Sequence, residues 1–197
     1  MSIAESAVQT PIRAVAFDLD GLMVNTEVIF NEVGREILRR RDREMTQELV
    51  GLMMGRRAPE AIRNMIEFHK LTDSVEALIT ETRLLFFELL GTRLEPMPGL
   101  FELLDHIEAC GIPKAVATSS ERNYLEDVLT RLNILDRFQT TLTAEDVTHG
   151  KPEPEIYLTA AQRLGVEPHE LMVLEDSHAG TTAGVRAGAV VVSVPHE

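Results

Sequence analysis

A single cysteine, Cys110, rules out an intrachain disulfide and fits a reducing compartment, so a cytoplasmic location is expected. Cys110 lies in HIEACG at a helix end, where it reads as a small buried hydrophobe rather than a reactive thiol. Positive charge is also scarce. Nineteen lysines and arginines stand against 32 aspartates and glutamates, a net charge of −13. Such a surface repels phosphate backbones and anionic lipid, which argues against nucleic acid and membranes as partners. No apolar run approaches the roughly 20 residues that a membrane-spanning helix needs. Residues 1–10 (MSIAESAVQT) have neither a basic start nor an apolar stretch and do not read as a signal peptide. Internal repeats and low-complexity segments are missing too.

What remains is an ordinary globular composition, 44% apolar and 26% charged, over 197 residues. That length allows one good core and a small insert. Five short aliphatic runs read as strands: Arg13–Leu19, Pro113–Thr118, Gln139–Thr143, Leu171–Leu174 and Ala189–Val194. The first and last are nearly continuous apolar runs, as expected of strands covered on both faces. Helical patterns over Gly99–Cys110, Ser120–Asn133, Glu155–Leu164 and Gly180–Ala187 alternate with the later runs. This rhythm predicts an α/β fold, a Rossmann-like parallel sheet core with right-handed crossovers. Residues 26–92 break it. They carry helical patterns near 26–41, 47–53, 59–70 and 74–90, the last with a capping box expected from Asp73 and Glu76. The expected organisation is therefore a core from residues 1–25 and 93–197, with 26–92 as an inserted all-helical domain. After the last run the chain soon reaches Glu197, which would leave one sheet face partly bare.

The chemistry gathers where runs end. In open α/β sheets, ligands bind at the carboxyl ends of strands. The first run ends in Asp18-Leu19-Asp20-Gly21, whose alternate residues Asp18 and Asp20 can face one site while Gly21 permits a sharp turn. Alone, this also reads as a turn with solvated carboxylates. The fourth run ends in Glu175-Asp176-Ser177, which also suits a helix N-cap by Asp176 or Ser177. Four carboxylates at neighbouring strand ends would be costly without a cation, and oxygen-only donors suit Mg2+. The second run ends in Thr118-Ser119-Ser120, where hydroxyls and free amides before a helix suit phosphate oxygens, or where Ser119 or Ser120 simply caps the helix. Lys151, held between Gly150 and the prolines 152 and 154, is placed to pair with Asp18 and a phosphoryl group.

In their order, AFDLDGLMVNTE, VATSS, GKPEPEIY and VLEDSHAG resemble the four signatures of the haloacid dehalogenase superfamily, in its phosphatase and β-phosphoglucomutase-like branch. The resemblance spans essentially the whole chain and makes the helical insert a cap domain. It implies a phosphoric monoester hydrolase acting on a small-molecule phosphate ester, with sugar phosphates the leading class, and working as a monomer. Asp18 would be the nucleophile, forming an aspartyl-phosphate. Asp20 would be the general acid and base. Thr118, Ser119 and Lys151 would hold the phosphoryl group. Asp18, the Asp20 backbone carbonyl, Asp176 and Glu175 would hold the magnesium. Asp20 sets the chain apart from the dehalogenase and phosphonate-cleaving branches, which lack a second aspartate. Two features depart from the pattern: Asn25 stands where many relatives have aspartate, and the C-terminus is short.

Three rival readings are open. A phosphosugar mutase would share the nucleophile, but that branch carries a histidine on its first cap helix and an arginine in the next cap loop. Alignment on DLDG puts Phe30 at the first position, and alignment on Gly55 puts Ala58 at the second, with Arg56 and Arg57 nearby. A phosphorylatable signalling domain would also use aspartate, magnesium and lysine; the helical insert and Asp20 argue against it. A non-catalytic binding protein is disfavoured by the intact ligand set. Among cap residues, Glu27, Arg56 and Arg57 are the candidates for substrate contact.

Overall fold

In a computed structural model of the chain, which describes residues 11–53 and 58–194, five parallel strands form one sheet. They are β1 (Ala14–Phe17), β2 (Lys114–Ala117), β3 (Thr140–Leu142), β4 (Leu171–Glu175) and β5 (Val190–Ser193), in the spatial order β3-β2-β1-β4-β5. The chain works outward from β1 to β3 on one side, then resumes at β4 on the other. The switch point therefore falls between β1 and β4, whose register pairs Phe17 with Leu174.

The chain divides into two compact units, one from residues up to Val24 together with those from Pro96, the other Asn25–Glu95. The second unit is helical, with α1 (Thr26–Arg39), α2 (Gln47–Met53), α3 (Ala58–His69) and α4 (Val75–Arg93). Ile29, Val33 and Ile37, spaced four apart, make the buried stripe of α1. Leu78, Leu85, Phe86 and Leu90 are buried on α4, and α1 packs on α4. Asn25 closes this unit. Its carboxamide accepts from Glu95 N at 2.9 Å and donates to the Arg93 carbonyl at 3.1 Å. An aspartate could only accept, which is a physical reason for asparagine here. The capping box expected from Asp73 and Glu76 is a correction. Ser74 caps α4, accepting from Ala77 N at 3.1 Å, while Arg41 holds Asp73 at 2.7 Å.

In the sheet unit the remaining helices are α5 (Leu100–Ala109), α6 (Arg122–Arg131), α7 (Glu155–Leu164) and α8 (His178–Ala187). Small residues on alternate strand positions, Ala14, Ala16, Ala115 and Ala117, let α7 lie close against the sheet in one buried cluster. On strand β1 the alternate position Phe17 meets Phe138 edge-on, ring centroids 6.0 Å apart. Two further expectations are corrected. β5 is an edge strand, and Val190 and Val192 are 41% and 40% exposed, so it is not covered on both faces. Cys110 is exposed, because it caps α5 at the end of its last turn, where the core-facing positions have stopped. Among the described residues no helix is long and apolar enough to cross a membrane.

Candidate active site

The site is built from strand ends on both sides of the switch point. Asp18 follows β1 directly, and its amide donates to the Leu174 carbonyl at 3.0 Å, so the backbone ladder itself fixes where the carboxylate starts. Gly21 adopts φ +80°, a left-handed conformation that lets the chain fold back as Met23 N donates to Leu19 O. Asp20 is carried in that turn.

Lys151 reaches the same point from the loop before α7. Its ammonium donates to Asp18 Oδ1 at 2.5 Å, Glu175 Oε1 at 2.6 Å and the Ala117 carbonyl at 2.9 Å. Three acceptors use all three of its hydrogens. Glu175, fully buried at the end of β4, also accepts from the Tyr157 hydroxyl at 2.6 Å and from Ser177 N and Oγ at 3.2 and 2.9 Å. Ser177 in turn caps α8, accepting from Gly180 N at 3.0 Å, one of the two caps the sequence allows. Gly180 makes room for this arrangement. A Cβ there would sit 1.7 Å from Glu175 Oε1.

At the end of β2, Thr118 is buried and its amide is held by the Leu142 carbonyl at 3.0 Å. Ser119 is exposed on the loop beyond. Neither Ser119 nor Ser120 caps α6. The N-cap is Glu121, with no side-chain cap bond, and the Ser120 hydroxyl turns to Asp20 Oδ2 at 2.8 Å instead. Asp20 Oδ1 accepts from the Tyr124 hydroxyl at 2.6 Å.

The electrostatics follow from burial. Desolvation is the main cause that raises the Asp18 carboxyl above the ordinary carboxylate range; Lys151 opposes it, while Glu175 and Asp20 add to it. Burial works against the Lys151 ammonium, but Asp18 and Glu175 outweigh it and raise its pKa. The Tyr124 phenol is raised by burial and then by Asp20, and Tyr157 by burial and then by Glu175, so both stay donors. Oxygens of Asp18, Glu175 and Asp176 lie within 4.8 Å of one another. The donors are all hard carboxylate oxygens, and this set fits a divalent cation of the Mg2+ or Ca2+ kind. The side chain of Asp20 is not part of that cluster; Tyr124, Ser120 and, at 3.4 Å, Thr118 engage it.

The structure thus brings Asp18, Lys151, Glu175 and Asp176 together, with Asp20 and Thr118 beside each other, and leaves Ser119 at the surface. Sequence reasoning missed Tyr124 and Tyr157. The chain has two tyrosines, and both donate to carboxylates of this site. Tyr157 ends the segment GKPEPEIY, and Tyr124 lies one turn beyond Ser120, but neither position alone marks a function. Glu27 is exposed in the first turn of α1, whereas Gly55, Arg56 and Arg57 lie outside the described residues.

A family model of haloacid dehalogenase-like hydrolases matches residues 15–194. The chain is 34% identical to the validoxylamine A 7'-phosphate phosphatase of Streptomyces hygroscopicus subsp. limoneus, over 92% of this chain and 85% of that protein. It is 32% identical to the phosphorylated carbohydrates phosphatase of Thermotoga maritima, over 90% and 82%. A solved Thermotoga maritima structure with the suggested name beta-phosphoglucomutase superposes with a TM-score of 0.85 at 30% identity, covering 94% of this chain and 86% of that one.

Proposed function

The chain belongs to the haloacid dehalogenase-like hydrolase family, and from that premise we propose that it hydrolyses small phosphomonoesters, sugar phosphates foremost, through a phosphorylated Asp18. The observation that carries the reading is the Lys151 ammonium 2.5 Å from Asp18 Oδ1 at the switch point of the sheet. An aspartate there has a counter-charge beside it.

In the first step an Asp18 oxygen attacks phosphorus and the bond to the ester oxygen breaks. Asp20 gives that oxygen its proton, so the alcohol leaves neutral. In the second step water attacks the same phosphorus, Asp20 takes the water's proton, and the bond to Asp18 breaks to release phosphate. Lys151 turns one of its hydrogen bonds from a protein acceptor to a phosphoryl oxygen, and Thr118 donates to another. Asp18, Glu175, Asp176 and the Asp20 carbonyl would hold magnesium, whose charge offsets that of the phosphoryl group and keeps Asp18 ionised. Two aspartates can divide these roles because one lies in the charged cluster and the other outside it.

A mutase with the same nucleophile is the second reading, favoured by the suggested name of the superposed Thermotoga structure. Against it stands Phe30, whose ring stacks on Phe86 at 4.2 Å and cannot relay a proton. The test is phosphate release from glycerol 3-phosphate, glucose 6-phosphate and sorbitol 6-phosphate. Turnover with magnesium, lost in chelator and in a folded Asp18→Asn variant, supports the proposal. Full turnover in Asp18→Asn would sink the covalent step, and full turnover in chelator would reject the metal.

A further inference from the structure

The proposed reaction needs Asp20 to hand a proton to an oxygen at a defined place. Asp20 sits in a turn three residues beyond β1, not in a strand, so the ladder that fixes Asp18 does not fix it. Its carboxylate has two rotatable bonds, and a proton donor that swings is a poor one, since a misplacement of about 1 Å can cost roughly a hundredfold in rate.

We infer that Tyr124 and Ser120 are positioning residues for Asp20: their hydroxyls clamp opposite oxygens of its carboxylate and fix the direction in which it delivers a proton to the leaving oxygen. The inference rests on the hydrolytic reading above and deepens it. The Tyr124 hydroxyl donates to Oδ1 at 2.6 Å and the Ser120 hydroxyl to Oδ2 at 2.8 Å. One such bond would leave the carboxylate free to rotate about the held oxygen. Two bonds, one on each oxygen, set its plane. Both lengths lie within the ordinary range for a hydroxyl donor. Oδ1 keeps a second lone pair beside the Tyr124 bond, so the clamp does not block the proton.

The two donors also come from a firm base. Tyr124 is the third residue of α6, beside the buried Leu125, Val128 and Leu129 that seat the helix. Ser120 stands on the loop between β2 and α6, with its amide donating to Thr118 Oγ1 at 3.0 Å. The Ala144 amide in turn donates to the Ser120 carbonyl at 3.2 Å. Thr118 adds only a long contact to Oδ2 at 3.4 Å. The clamp therefore ties Asp20, on the first strand end, to a helix and a loop that belong to the second.

A merely structural tyrosine and a positioning one differ in how the leaving group matters. A good leaving group departs without a proton, whereas a poor one needs it. The experiment measures kcat/KM for substituted phenyl phosphates, from p-nitrophenyl to p-methylphenyl phosphate, on the unaltered enzyme, Tyr124→Phe and Ser120→Ala. This ratio stops at transfer to Asp18, so the water step does not enter. We expect a loss of roughly tenfold on p-methylphenyl phosphate against under about twofold on p-nitrophenyl phosphate for Tyr124→Phe, and the same trend for Ser120→Ala. Inhibition by inorganic phosphate should be unchanged. An equal loss on every ester, or none in either variant, would overturn the inference while leaving the phosphatase reading intact. Inactivity of the unaltered, folded protein on every ester would remove that reading and this one with it. Ser120→Ala deletes only a half-buried hydroxyl, so it keeps the test decisive if the helix variant is unstable.

Discussion

Lys151 has three ammonium hydrogens and three acceptors, two of them the carboxylates of Asp18 and Glu175. Replacing it with methionine removes the ammonium that hydrogen-bonds both buried carboxylates. Turnover by Lys151→Met should fall roughly a hundredfold or more, the scale of losing a buried charge-stabilising donor. Steady-state kinetics on a folded variant checks this; kinetics within about twofold of the unaltered enzyme would make the lysine structural only. At this scale much of the site was legible. Asp18, Asp20, Glu175, Asp176 and Lys151 lie at strand ends or in a proline-locked loop, where the backbone alone delivers the side chain. Tyr124 and Tyr157 were not legible, because a helix residue's role depends on which way it points and on what another element brings opposite. Asp73 and Cys110 were misread for the same reason. Arg41 takes the one, and the other lies one position past the last residue of α5.

At the scale of elements, the close approach of α8 to β4 is set by Gly180. A methyl group there would overlap the Glu175 carboxylate and force it from Lys151 and Tyr157. Gly180→Ala should therefore lose roughly 1–3 kcal/mol of stability by urea unfolding and roughly tenfold or more in turnover. Unchanged values in both would mean that Glu175 has slack the packing does not suggest. A second joint ties α6, α7 and the turn after β3. Asp146 is paired with Arg122 and, at 2.8 Å, with Arg163, and it accepts from Thr143 N at 2.9 Å. Partial burial pushes its carboxyl up, but Arg163, Thr143 and Arg122 outweigh it and hold it at about 2, below the ordinary 3.8. A depressed carboxylate stabilises the fold above its unfolded pKa and stops doing so as pH falls through the folded one. The contribution is thus complete above about pH 4 and lost towards pH 2. Asp146→Asn should be destabilised at pH 7, with the gap to the unaltered protein narrowing between pH 4 and 2. A gap that holds constant over that window would contradict the ion-pair account. Element positions were largely legible from apolar periodicity, whereas these joints were not, since they join residues remote in sequence.

On the scale of the whole molecule, the alternation of aliphatic runs and helical patterns was enough to foresee a parallel sheet with a helical insert. It could not foresee that β5 would be an edge, because an apolar run reads alike in the centre and at the margin. The insert also bears on the kind of transfer. A mutase must keep its phosphorylated aspartate from water until a sugar hydroxyl returns. Phe30, 52% exposed and stacked on Phe86, offers no proton relay for that control. With β-glucose 1-phosphate, trace glucose 1,6-bisphosphate and magnesium, inorganic phosphate should form faster than glucose 6-phosphate; the reverse order would make the protein a mutase. The central claim, transfer through Asp18, is tested most directly by the stereochemical course at phosphorus with a chiral, isotope-labelled phosphate ester. Two successive in-line displacements, first by Asp18 and then by water, predict retention of configuration, whereas inversion would mean that water attacks the ester directly and that no phosphorylated aspartate forms.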